Sequence, residues 1–157
     1  MISYKRNDSV LLDLARNQSE FSTDPNTKIG CVILTSGNYL VPGFNTIPAP
    51  LTGNEKYNGM LDDRESKYKV IVHAEMNAIY FAIRSNIDIR GSTVYVYGLP
   101  VCHECAKALI SVDVGRVVAL VPPRNKKKTE NSKWDESCKL ASEFFEEAGV
   151  EYEINYE

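Results

Sequence analysis

Four side chains in this sequence can do chemistry together: His73, Glu75, Cys102 and Cys105. The first two stand in Val72-His73-Ala74-Glu75-Met76-Asn77-Ala78-Ile79, the other two in Pro100-Val101-Cys102-His103-Glu104-Cys105. A C-x-x-C spacing lets two sulfurs grip one ion, and an imidazole added to them fills three corners of a zinc tetrahedron. Structural zinc sites close all four corners with protein, so a three-donor set that leaves one corner for water is the catalytic kind. Both stretches read as helix starts. In a regular helix, residues two apart point about 200° apart around the axis. The first residues of a helix are not yet held to that rule, so His73 and Glu75 can turn toward one point. Two thiolates make such a site anionic, and a helix N-terminus beneath Cys102 and Cys105 favours that charge.

The chemistry open to this set is attack by water on an electron-poor carbon. Zinc lowers the pKa of its water from about 15.7 to about 7 in carbonic anhydrase. At ~1.36 kcal/mol per unit this is on the order of 12 kcal/mol of proton affinity, an upper limit on the help a metal gives. Expelling a leaving group also needs protons delivered. Glu75, not itself a ligand, would take a proton from water and pass it on. A purely structural metal site gains nothing from such a carboxylate.

Each residue also has a plainer reading. His73 alone would be a satisfied core histidine; its company with Glu75 and the cysteine pair makes it a ligand. His103, adjacent to Cys102, points elsewhere and reads as an exposed loop residue. Cys31 and Cys138 lie in apolar segments and read as packing. Trp134 reads as an anchor for the helix it begins. Lys126-Lys127-Lys128 reads as a solvated loop, with a phosphate at the site mouth as the sharper option.

The chain has 157 residues, one domain by size, with 43% hydrophobic and 25% charged residues, the composition of a globular protein. Its formal net charge of −3 gives no field that attracts nucleic acid or an anionic membrane. A nucleic-acid editor would need a basic stripe with aromatics along it, and one Lys run does not supply that. No apolar run approaches the roughly 20 residues of a membrane helix. The first eight residues, Met1 to Asp8, hold no apolar signal core, so export is not expected. Two of the 4 cysteines are committed by spacing and the others sit in apolar segments, which points to a reducing, cytoplasmic setting.

Positioning the four groups takes alternating helices and strands. Ser9 to Ser19 has helical apolar spacing with Asp8 or Ser9 as cap. Ser22 to Asn26 is a breaker cluster, and Ile29 to Leu34 then Tyr39 to Val41 reads as a hairpin about Ser36-Gly37-Asn38. Gly43 to Tyr68 is the least regular stretch. Ala74 to Arg84 is a helix, Thr93 to Tyr97 a strand, and a second helix starts near His103. Val117 to Val121 is a strand, Pro122 to Lys133 a polar loop, Trp134 to Ala148 a helix stopped by Gly149, and Val150 to Ile154 a last strand. That order gives an α/β layered domain.

H-x-E followed by P-C-x-x-C marks the zinc nucleobase deaminases, and the sequence resembles the deoxycytidylate (dCMP) deaminase family of the cytidine deaminase superfamily over nearly its whole length. The likeness takes in Asp24-Pro25-Asn26-Thr27-Lys28-Ile29-Gly30, Gly43-Phe44-Asn45, Asp63-Arg64-Glu65-Ser66-Lys67-Tyr68, the His73 to Ile79 run, Cys105-Ala106-Lys107-Ala108 and Glu147-Ala148-Gly149-Val150. It implies one deaminase domain over 1–157, a three-layer α/β/α sandwich on a mixed central sheet of about five strands. It implies zinc held by His73, Cys102 and Cys105, with Glu75 as the proton carrier. It puts Asn45 on the sugar or base edge and the Ala74 backbone near the pyrimidine carbonyl, and leaves Lys28, Arg64 and Lys67 as unranked phosphate candidates. Asn45 could otherwise merely end a strand in a turn. The implied reaction is dCMP to dUMP and ammonia in a homo-oligomer, a dimer or hexamer. Alternatives are another cytosine nucleotide or nucleoside, a nucleic-acid base, or a non-catalytic zinc module.

Three departures from the family carry expectations of their own. Val101 intervenes between Pro100 and the first cysteine, which alters the loop beside the substrate. Gly43 to Tyr68 contains no Cys or His to build the second, structural zinc of some members. Thr46-Ile47-Pro48-Ala49-Pro50 replaces the family's Gly-aromatic-Pro-Arg-Gly, so weak or absent control by dCTP and dTTP is expected.

Overall fold

The computed structural model describes residues 7–125 and 132–157, so Lys126-Lys127-Lys128 lie outside the described residues. Five strands, β1 (Gly30–Leu34), β2 (Leu40–Phe44), β3 (Thr93–Tyr97), β4 (Arg116–Val121) and β5 (Glu151–Tyr156), form one sheet in the order β2-β1-β3-β4-β5. β1 runs antiparallel to β2 and to β3, whereas β3, β4 and β5 are parallel. The helices are α1 (Asp8–Ser19), α2 (Glu55–Gly59), α3 (Arg64–Val70), α4 (Ala74–Arg84), α5 (His103–Ser111) and α6 (Ser132–Ala148). The parallel neighbours β3–β4 and β4–β5 are joined through α5 and α6, as a parallel pair requires.

The central strand Thr-Val-Tyr-Val-Tyr is buried along its length because helices cover both faces. Its side chains alternate. Val94 and Val96 join Cys31, Ile33, Val117 and Ala119 against α4, α5 and α6. Tyr95 and Tyr97 join Val32 and Val118 against Leu12 and Ala15 of α1. The result is the expected α/β/α sandwich with a mixed sheet. Cys31 is a fully buried core thiol, as its plainer reading had it.

Local structure differs from expectation at three places. Asn7, not Asp8 or Ser9, caps α1 by accepting from the Val10 N–H at 3.3 Å. Asp8 is drawn away by Arg116, whose two terminal nitrogens donate to it at 2.8 and 2.7 Å, and by the Tyr95 hydroxyl at 2.8 Å. β2 continues through Pro42 to Phe44, since an edge strand tolerates a residue with no N–H to donate. The stretch 43–68 is not one long loop: Asn54 caps α2 and Asp63 caps α3 by accepting from the Ser66 N–H at 2.9 Å. Those caps turn a breaker-rich segment into short helices, and the second of them, α3, walls the cavity described next.

Among the described residues, no helix is long and apolar enough to cross a membrane.

Candidate metal centre and substrate cavity

His73 and Cys102 are the N-caps of α4 and α5, both in extended backbone, so each side chain projects from a helix start. The His73 ring makes no capping bond and is left to face the sulfurs. Its Nδ1 lies 3.5 Å from Cys102 Sγ and 3.4 Å from Cys105 Sγ. The three donor atoms fall within 4.8 Å of one another. A zinc tetrahedron with Zn–N about 2.0–2.1 Å and Zn–S about 2.3 Å has N···S edges of about 3.6 Å. The donor set therefore fits zinc in kind and in spacing.

Glu75, the second residue of α4, is buried, and its Oε2 accepts from the Cys105 thiol at 3.7 Å. Burial pushes its carboxyl pKa up, and the negative charge of Cys102 pushes the same way. Cys102 is drawn down to about 4, first by its bond from the Cys105 thiol and then by His73. His73 is raised to about 9 by its hydrogen bond to Cys102. Cys105 is raised by its own hydrogen bond to Cys102 and by burial. A divalent cation entering here displaces the protons these groups hold among themselves.

α4 is seated by direct contact. A Cβ on Gly43 of β2 would meet the Ala74 carbonyl oxygen at 2.3 Å and the Ala78 nitrogen at 2.7 Å, so only glycine lets the helix lie this close. Asn77 Nδ2 donates to the Phe44 carbonyl at 2.7 Å, and Thr46 and Val72 exchange backbone bonds at 3.1 and 2.9 Å. The cysteine loop is seated from the far side of the chain. The intervening Val101 is fully buried, and its N–H donates to the Tyr152 hydroxyl of β5 at 3.0 Å. The Tyr152 ring packs on Phe145 with centroids 4.7 Å apart. Tyr152→Phe removes the acceptor and leaves a buried N–H unmatched. It is expected to weaken zinc binding about 10-fold, read by competition with a chromophoric chelator, and to lower the melting temperature.

A cavity of about 500 Å³ opens on this centre. His73, Ala74, Glu75 and Cys102 form its floor, with Asn45, Arg64 and Lys67 also in its lining. Lys28 is not in the lining. Lys67 is committed to Asp24, 2.9 Å away, with side-chain exposures of only 15% and 2%. Asp24 is held in turn by the N–H groups of Asn26 and Thr27 at 2.9 and 3.1 Å. Arg64 makes no ion pair among the described residues. Asn45 serves the fold as well as the cavity: its Oδ1 accepts from Ile29 N–H and its Nδ2 donates to Thr27 carbonyl, both at 2.8 Å. One N–H and one lone pair of that amide remain for a ligand. His103 is not a donor to the centre; its ring and backbone nitrogens bond Ser137 Oγ at 2.7 and 3.1 Å.

Two lining residues escape sequence reasoning. Asp24 was visible as part of a turn signal and of the family resemblance, but not as the partner of Lys67, because its burial comes from α3 folding over it. Trp134 lines the cavity, where the sequence suggested a helix anchor.

Residues 5–121 match the family model described as the cytidine and deoxycytidylate deaminase zinc-binding region. An uncharacterized deaminase from the luxG 3' region of Aliivibrio fischeri is 32% identical over 140 residues, 88% of this chain and 86% of its own length. Deoxycytidylate deaminase of Homo sapiens is 30% identical over 135 residues, 74% of this chain and 69% of its own. In fold, the chain is similar to dCMP deaminase from the cyanophage S-TIM5, solved in complex with dCMP and dUMP, with a TM-score of 0.65 and 19% identity over 93% of this chain and 94% of that one. The model match spans both halves of the metal motif, from His73 to Cys105. The chain belongs to the cytidine and deoxycytidylate deaminase family and is a zinc-dependent hydrolytic deaminase.

Proposed function

We propose that this protein converts dCMP to dUMP and ammonia, with His73, Cys102 and Cys105 holding the zinc. The observation that carries the reading is the buried Glu75 carboxyl, 3.7 Å from a metal donor and in the floor of a nucleotide-sized cavity. When bound, zinc lowers the pKa of water enough to supply a nucleophile at neutral pH. Glu75 accepts the proton that the water gives up, delivers it to the ring nitrogen beside carbon 4, and protonates the amine as it leaves. Water's oxygen thus stays on carbon 4 as the carbonyl; of its two protons, the first stays on the ring nitrogen and the second, relayed by Glu75, leaves with the amine as ammonia when the carbon–nitrogen bond breaks. Burial that raises the Glu75 pKa suits a group that must hold a proton and release it in one cycle.

The base is oriented by the free N–H of the Asn45 amide and the backbone of Ala74, the first residue of α4, whose N–H has no partner within its helix. Arg64 meets the phosphate, and Lys67, neutralised by Asp24, is the lesser candidate. Lys28, outside the cavity lining, is the least of the three. The substrate assignment is supported by the deoxycytidylate deaminases among the relatives. A single domain over 1–157 fits one sheet with helices on both faces. Self-association as a dimer or hexamer fits the exposed Tyr39 and Leu40 at β2 and Tyr80 and Ile83 on α4. A cytoplasmic location fits four free thiols, two of them metal donors.

The test is ammonia release by the zinc-loaded protein from dCMP, dCTP, deoxycytidine and tRNA side by side. The highest kcat/KM is expected on dCMP. A flat response to dCMP beside turnover of another member of the panel would reassign the substrate.

A further inference from the structure

Among the described residues, the indole Nε1 of Trp134 is buried without a hydrogen-bond partner, and Trp134 is part of the wall of the substrate cavity. An indole N–H can only donate. Leaving such a donor buried and unmatched is costly, so native structures seldom do so without a reason. The other orphan of this kind, Arg16 Nε, has one: its guanidinium lies over the Tyr97 ring, 5.0 Å from the centroid, and its terminal nitrogens pair with Asp13 and Glu157. Trp134 has no such compensation, although its ring is well packed against the core that carries Cys102 and Cys105.

We infer that Trp134 is a substrate-positioning residue whose indole N–H donates to an oxygen of the bound nucleotide. That nitrogen is closed off in the structure, so the bond forms only once a group entering the cavity turns the ring and brings the N–H to face it. Cys102 lines the same cavity, so a ligand held by Trp134 shares that cavity with the metal centre. The acceptor is a phosphate oxygen or an oxygen of the sugar or pyrimidine, the same chemistry at either end of the nucleotide. This inference rests on the proposed nucleotide substrate, but its readout does not need turnover.

Trp134 is the sole tryptophan, which makes the wild-type protein its own reporter. Ultraviolet resonance Raman spectra of the zinc-loaded protein should show an unbonded indole N–H that becomes hydrogen-bonded on saturation with dUMP. Trp134→Phe keeps an aromatic ring and removes the donor. It is expected to raise KM for dCMP about 10- to 100-fold, with kcat within about twofold. A penalty that disappears on deoxycytidine assigns the bond to the phosphate; one that persists assigns it to the nucleoside. The inference is overturned if the indole is already hydrogen-bonded without nucleotide, or if its band is unmoved by dUMP, dCMP and deoxycytidine alike. It also falls if Trp134→Phe lowers only the melting temperature. Failure of dCMP turnover with an intact Raman shift strikes the reaction assignment and leaves this one standing.

Discussion

Glu75→Gln is expected to lower kcat for deamination by about 100- to 10,000-fold while zinc content and melting temperature stay near those of the wild type. Glutamine fills the same buried space at the start of α4 and can still accept a hydrogen bond from its surroundings. It cannot hold and release a proton. None of the three donors within 4.8 Å of one another is altered, so the ion should stay. Ammonia release and metal analysis on one preparation separate the two effects. A variant that keeps more than about a tenth of wild-type turnover would show that the proton travels by another route.

The second large effect comes from a residue that touches no substrate. Gly43→Ala puts a Cβ 2.3 Å from the Ala74 carbonyl oxygen and 2.7 Å from the Ala78 nitrogen, and both are backbone atoms that cannot swing aside. α4 must lift from β2, carrying His73 and Glu75 with it. A displacement of about 1 Å at reacting groups can cost on the order of 100-fold in rate. Overpacking of this kind costs about 1–3 kcal/mol of stability. Gly53→Ala is the control, because a Cβ there meets nothing within 4 Å. Thermal melts and kcat/KM on both variants check the expectation. Equal activity in the two would mean that this helix–strand contact does not set the position of the site.

The metal centre was legible in the sequence because its groups occupy helix starts, where type and spacing carry most of the information. The same holds for β1 and β3, whose apolar runs mark strands covered on both faces. The residues that shape the cavity were less legible for definite reasons. Lys67 reads as a free cation until α3 folds onto Asp24, a partner far away in the chain. Lys28 reads as its equal, and only the fold leaves it out of the lining. Asn45 reads as a turn or a substrate contact, and the structure uses it to tie Thr27 and Ile29 while it faces the cavity. Helices α2 and α3 were hidden because Pro and Gly dominate the reading of 43–68, whereas the caps Asn54 and Asp63 decide the outcome locally. Trp134 shows the converse: an anchoring role was legible, its unmatched nitrogen was not.

The bond from Val101 to Tyr152 ties the cysteine loop to the strand that follows every other element of the sheet. During synthesis, therefore, a ribosome-bound chain can present both thiols and the imidazole well before the clasp that steadies them has been translated. Metal captured before residue 152 emerges would be held by a looser grip than in the finished protein.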